Sequence, residues 1–175
     1  QQPIDTARQK GISSVVSAMN ENLDAATMYP ANCKKVISVA ATGPSGEKAA
    51  YSSWGSTVKI AAPGGNFRNP YYPDGEILST YVEDAPYYGY SYAEGTSMAA
   101  PLVAGVIALL YSVDPKMTPE KVLSILTNKQ AVTPFPTPSE VPPGTQSCVD
   151  PKHPRETCGV GILNARKVLA LAAKK

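Results

Sequence analysis

At 175 residues the chain has the length of one domain or a large part of one, enough to bury a real core. Its net charge of +2, carried by scattered basic residues, gives no case for a nucleic-acid stripe or an anionic-membrane surface. The longest apolar run, Met98 to Leu110, falls short of the roughly 18 residues of a spanning helix, and the first residues lack the charged-then-apolar pattern of a secretion signal.

The opening QQPIDTARQKG predicts an amphipathic helix with Ile4, Ala7 and Arg8, stopped by Gly11. It reads as a helix already under way, so the chain is expected to begin inside a domain. Three apolar, β-branched runs follow: Ile12 to Asn20, Lys35 to Gly43, and Thr57 to Gly65, the last cut by Pro63. They are continuous rather than alternating, as buried parallel strands are. With the helix before them they predict an α/β layer arrangement.

Residues 64–92 differ in kind. They carry seven of the ten tyrosines with Gly, Pro and Asn. They read as an irregular or hairpin region with one short strand, ILSTYV, either plainly exposed or forming a wall of a binding cleft. Met98 to Leu110 has small or apolar residues on every side, which predicts a helix buried all round, with Pro101 near its first turn. TPEKVLSILTN is a well-signalled surface helix: Thr118 caps it, Pro119 opens it, and Val122, Ile125 and Leu126 form the apolar stripe. Residues 133–154 hold seven prolines and predict an irregular loop. GILNARKVLALAAKK closes the chain as an amphipathic helix whose Lys174 and Lys175 are solvated. No internal repeat occurs, and residues 1–175 read as one unit.

Cys148 and Cys158 flank the turn-rich CVDPKHPRETC. A disulfide there closes a short loop and contributes about 3 kcal/mol in the chain-entropy picture. A zinc site would need a second pair of ligands, and only His153 lies between the two. Cys33 is left over, either a buried thiol or a thiol with a partner elsewhere. A disulfide framework favours an exported protein.

The chemistry concentrates in Gly-Thr-Ser at the mouth of the apolar run. A serine hydroxyl needs a base for its proton and donors for the oxyanion it creates. Ser97 at a helix N-terminus gains the second from free N–H groups and the dipole, while Gly95 lets a substrate backbone approach. By itself Ser97 reads first as a helix cap.

The longer string G-T-S-M-A-A-P-L-V-A-G, Gly95 to Gly105, resembles the active-site serine signature of the subtilisin-like serine proteases. Other stretches fall in that family's order. VVSAMNEN resembles the strand ending in the oxyanion-hole asparagine, here Asn20. YPANCKKVISVAAT, Ala50 to Gly55 and Ile60 to Gly64 resemble the segments between, and CGVGILNARKVL the closing helix. The resemblance runs from about Ile12 to Leu171. It implies the C-terminal portion of a subtilisin-like α/β fold, a parallel sheet flanked by helices. It implies Ser97 as nucleophile, Asn20 as oxyanion donor, and Ser17, Ala18, Met19 and Gly95 along the bound substrate. Met19 replaces a glycine usual in the family, which implies a smaller or reshaped pocket for the residue before the scissile bond. Leu102 stands where many members carry histidine. Lys59 occupies a place where some relatives have an acidic calcium ligand, which argues against calcium there. The resemblance implies no cofactor or metal on this chain and allows structural calcium in a complete enzyme. It also implies that Cys33 pairs with an upstream cysteine.

Subtilase order is Asp, His, Ser, and nothing before Asn20 matches the first two. Asp5-Thr6-Ala7 echoes Asp-Thr-Gly but lies in helical sequence, and His153 follows the serine in the Pro-rich loop. The expectation is therefore a serine half of a secreted or periplasmic endopeptidase, inactive alone. Its partners would be the N-terminal portion of the same domain and a polypeptide substrate, with no nucleic acid or membrane. Two rivals differ in class. An α/β-hydrolase order of Ser97, Asp114 or Asp150, and His153 fails at Ala99, where the nucleophile turn needs glycine. A non-catalytic binding or structural module derived from a subtilase is the other.

Overall fold

A computed structural model describes residues 1–67, 75–82 and 88–173. Three of the tyrosines counted above (Tyr71, Tyr72 and Tyr87), and the two terminal lysines, lie outside the described residues. Along the chain come α1 (Gln2–Gln9), β1 (Val15–Ser17), β2 (Ile37–Thr42), β3 (Ile60–Pro63), β4 (Ile77–Val82), β5 (Tyr88–Ala93), α2 (Thr96–Val113), α3 (Pro119–Leu126), β6 (Val132–Thr133), β7 (Ile162–Leu163) and α4 (Ala165–Ala173).

The expected parallel α/β sheet is present. Its order is β1-β2-β3-β7-β6, with β1, β2, β3 and β7 parallel and β6 antiparallel to β7. The predicted apolar runs are its strands β1, β2 and β3, although the first shrinks to Val15–Ser17. Both faces of β2 are buried, which explains the unbroken run ISVAAT. Ile37, Val39 and Ala41 face α2, meeting Ala99, Val103, Ile107 and Leu110. Ala40 and Ala61 face the other way, toward Ala18, Val58 and the disulfide of Cys148 and Cys158. Small residues on that second face let the loop carrying the disulfide lie close against the sheet. Leu110 and Leu126 are fully buried, each contributing roughly 1.5–3 kcal/mol of transfer free energy.

The surface helix forms as predicted. The Thr118 hydroxyl accepts the Lys121 N–H at 3.3 Å, and Val122, Ile125 and Leu126 are buried. The helix at α1 likewise appears, with Gly11 at φ +79° ending it, and Asp5-Thr6-Ala7 lies inside it.

Three expectations are corrected. First, α2 runs for 18 residues, five beyond the apolar stretch, with mean hydropathy 1.8, so by length and composition alone it could cross a membrane. Here it lies against the sheet. Second, it is not buried all round: Leu102 is 40%, Leu109 47% and Val113 58% exposed. Composition reports how apolar a helix is, not which of its sides the same chain covers. Third, Pro101 sits in the second turn, where its missing N–H leaves the Ser97 carbonyl without its i+4 donor.

Candidate active site

The carboxyl ends of the parallel strands converge on the Gly95-Thr96-Ser97 turn. The chain leaving β3 passes through Gly64, whose carbonyl accepts the Gly95 N–H at 2.8 Å. Gly95 caps α2 with φ +152°, a conformation open to glycine alone. Ser97 is the second residue of the helix, so its N–H has no intrahelical acceptor. Its side chain is exposed, while Gly95 and Thr96 are buried.

Asn20 reaches this turn from the end of β1. Its Oδ1 accepts both the Thr96 N–H at 3.0 Å and the Thr96 hydroxyl at 2.8 Å. Because a backbone N–H can only donate, the amide orientation is fixed and Nδ2 is left as a free-facing donor. A β-carbon built at residue 95 would lie 3.5 Å from Asn20 Nδ2 and 3.6 Å from Ser97 N. Asn20 Nδ2, Ser97 N and Met98 Sδ, the last also at 3.5 Å, thus border the space that glycine at 95 leaves open.

Ala18 is fully buried and Ser17 and Met19 half-buried on the same approach. Met19 has φ +81°, held there by the Ser53 N–H donating to its carbonyl at 2.9 Å, and the Ser17 hydroxyl lies 4.0 Å from its sulfur. A side chain in this region costs roughly 1–2 kcal/mol, against roughly 0.5–1 kcal/mol of extra unfolded-state freedom for glycine. Met19→Gly is therefore expected to raise stability by up to about 1 kcal/mol. Thermal unfolding checks this; a lowered Tm would show that thioether packing outweighs the strain.

Two supporting residues lie inside strings that the sequence marked, but nothing there gave them a role. Thr96 is one, as the clamp on Asn20. Tyr51 is the other: its hydroxyl lies 2.8 Å from the carbonyls of both Gly64 and Gly65. Burial pushes its phenol above the ordinary range, and the Glu94 carboxylate adds to that, so it stays a donor and braces the strand end that holds Gly95. Lys48, 2% exposed, donates to Asn22 Oδ1 at 2.6 Å. Burial lowers its pKa to about 8, opposed by Glu156.

His153 is not brought to Ser97. It is exposed, with Nδ1 3.0 Å from Asp150 Oδ2, on the loop closed by the Cys148–Cys158 disulfide. That disulfide lies under the sheet face opposite α2. Asp114 instead pairs with Lys121 at 2.8 Å, so the hydrolase-type order does not assemble. Cys33 is a free, half-buried thiol. Among the described residues no three acidic, His or Cys side chains gather.

A family model described as "Subtilase family" matches residues 1–161. The chain is 36% identical over 176 aligned residues to an extracellular protease of Xanthomonas campestris, covering 98% of this chain and 26% of that protein. It is 41% identical over 133 residues to an extracellular basic protease of Dichelobacter nodosus, covering 72% and 20% respectively. Among solved structures it superposes on a protease from Pseudoalteromonas arctica with a TM-score of 0.79 and 34% identity, over 98% of this chain and 46% of that one. The chain spans about a quarter of the length of the curated relatives it matches.

Proposed function

The chain belongs to the subtilase family, and from that premise we propose that it carries the serine half of an exported serine endopeptidase. In this reading the Ser97 Oγ attacks a peptide carbonyl while a histidine base, oriented by an aspartate, takes its proton. The new C–O bond turns the carbonyl oxygen into an oxyanion held by Asn20 Nδ2 and the Ser97 N–H. The C–N bond then breaks as the base returns the proton to the departing amine, and water hydrolyses the acyl-serine by the same steps. The observation that carries the reading is the nearness of Asn20 Nδ2 and Ser97 N to the same open space beside Gly95.

The base and its aspartate are assigned to residues outside these 175, on the N-terminal portion of the same peptidase domain. Two surfaces support that seat. The described pairings of β1 are with β2 alone, on one side. A groove of about 410 Å³ runs between Ile12, Val15, Ala104, Ala108 and Tyr111, beside the exposed Leu102 and Leu109. Export is supported by the disulfide and by the relatives named extracellular. No cofactor is assigned to these residues. The substrate is polypeptide.

The test is digestion of an unfolded protein by the full-length protein. It is expected to proceed in the wild type and to vanish in Ser97→Ala with folding retained. The strained Met19 at the pocket favours one other reading, a non-catalytic binding module; a folded wild type without turnover would select it.

A further inference from the structure

Beyond β1, the loop that carries Asn20 is held by the segment 48–54. The Ser53 N–H donates to the Met19 carbonyl at 2.9 Å, the Asn22 N–H to the Tyr51 carbonyl at 2.9 Å, and the Trp54 N–H to the Leu23 carbonyl at 3.1 Å. Asn20 and Glu21 span the gap between the first two of these ties. The setting of Asn22 therefore bears on the setting of Asn20, two residues and at most about 7 Å of chain away. Asn22 is exposed and takes φ +52°, a left-handed conformation that a residue other than glycine keeps only with support from its surroundings.

Lys48 supplies that support from inside the protein. Its backbone bridges both Thr42, the last residue of β2, and Gln146, so it stands on the sheet framework rather than on the loop. Its side chain is buried, and its Nζ donates to Asn22 Oδ1 at 2.6 Å. An ammonium withdrawn from water costs stability unless its charge is answered. The carboxylate of Glu156 answers it only at a distance: its Oε2 lies 4.0 Å away and accepts the Gln146 side-chain amide at 2.7 Å. The short, charge-assisted bond goes instead to a neutral amide on the Asn20 loop. A turn that needed only a soluble lysine would leave it in water, and a core that needed only volume would hold an apolar side chain in its place. What this arrangement provides is a strut from the sheet to the residue two places beyond Asn20.

We propose that Lys48 is a positioning residue for the reaction, holding the Asn22 side chain so that Asn20 Nδ2 stays aimed at the oxyanion. This rests on the protease reading above. The test is steady-state kinetics of the full-length protein on a peptide anilide. It compares the wild type, Asn20→Ala, Lys48→Met, Asn22→Gly, and the double variants that join each of the last two to Asn20→Ala. Methionine keeps a long unbranched stem without the donor, and glycine keeps the left-handed backbone without the acceptor. Lys48→Met and Asn22→Gly are each expected to lower kcat about tenfold with KM within about twofold, because a misplaced oxyanion donor is felt in the transition state. In the Asn20→Ala background neither is expected to lower kcat further, since no donor remains to be misplaced. A residue that only stabilised the fold would act by the same factor in both backgrounds, or in Tm alone. Wild-type kcat in both single variants, or a loss that persists in full without Asn20, overturns the proposal. Should Lys48→Met fail to fold, Asn22→Gly decides by the same two results. An active wild type matched by Asn20→Ala overturns it as well, while leaving the protease reading in place. A folded wild type without turnover overturns the protease reading, and this inference with it.

Discussion

Replacing Asn20 by alanine is expected to lower turnover by the full-length protein about 100- to 1000-fold and to cost roughly 1–3 kcal/mol of stability, since the buried Thr96 N–H and hydroxyl lose their acceptor. The loss of one oxyanion donor has that size in a subtilisin, and the magnitude is taken from that relative. The reason to expect it here is geometric. Asn20 is exposed, so its removal opens no cavity, and the stability cost is confined to the two Thr96 donors that its Oδ1 satisfies. What is lost is Nδ2, the donor facing the point shared with Ser97 N. The effect should fall on kcat rather than KM, because the charge it meets exists only in the transition state. Thr96→Val removes one of the two bonds that fix the amide and should give a smaller loss of the same kind. Steady-state kinetics on a peptide anilide, with thermal unfolding in parallel, separates this from a folding defect.

Gly159→Ala is expected to be the most destabilising conservative change away from the site. Residue 159 has φ +86°, and a β-carbon there would fall 2.4 Å from the Lys59 carbonyl carbon and 2.5 Å from both Lys59 O and Ile60 N. All three are backbone atoms at the start of a central strand, so none can swing aside. The left-handed conformation costs an alanine roughly 1–2 kcal/mol and the overlap roughly 1–3 kcal/mol, about 2–5 kcal/mol together. A Tm lowered by about 10 °C follows for a domain of this size. The position matters because the chain passes from the disulfide at Cys158 into β7 across this contact, with the Val160 N–H donating to the Lys59 carbonyl at 3.1 Å. A Tm within about 2 °C of wild type would show that the two segments part without cost.

The sheet and the serine turn were legible because each rests on local signals. Runs such as ISVAAT are apolar on both faces since both faces are covered, and the Thr118-Pro119 helix start is written in adjacent residues. The disulfide followed from two cysteines ten apart. What escaped depends on contacts between distant residues. Thr96 clamps an asparagine 76 positions away, and nothing in either segment says so. Lys48 looks like a surface lysine until the loop of Gln146 closes over it, its N–H donating to the Gln146 carbonyl at 2.7 Å. The exposed side of α2 escaped for a related reason, since an apolar helix reads the same whether or not its neighbour is present. The second strand of the hairpin did leave a trace: YGYSYA alternates with period two, and the glycine and tyrosine content masked it as loop.

The most direct measurement is labelling with a serine-directed fluorophosphonate, with the modified residue located by mass spectrometry, on the 175-residue chain and on the full-length protein. Modification is expected at Ser97 in the full-length protein, slowed in Asn20→Ala, with little or none in the isolated chain if the base lies, as proposed, outside these 175 residues. A folded full-length protein that is not labelled at Ser97 would contradict it and leave a protease frame used for binding alone.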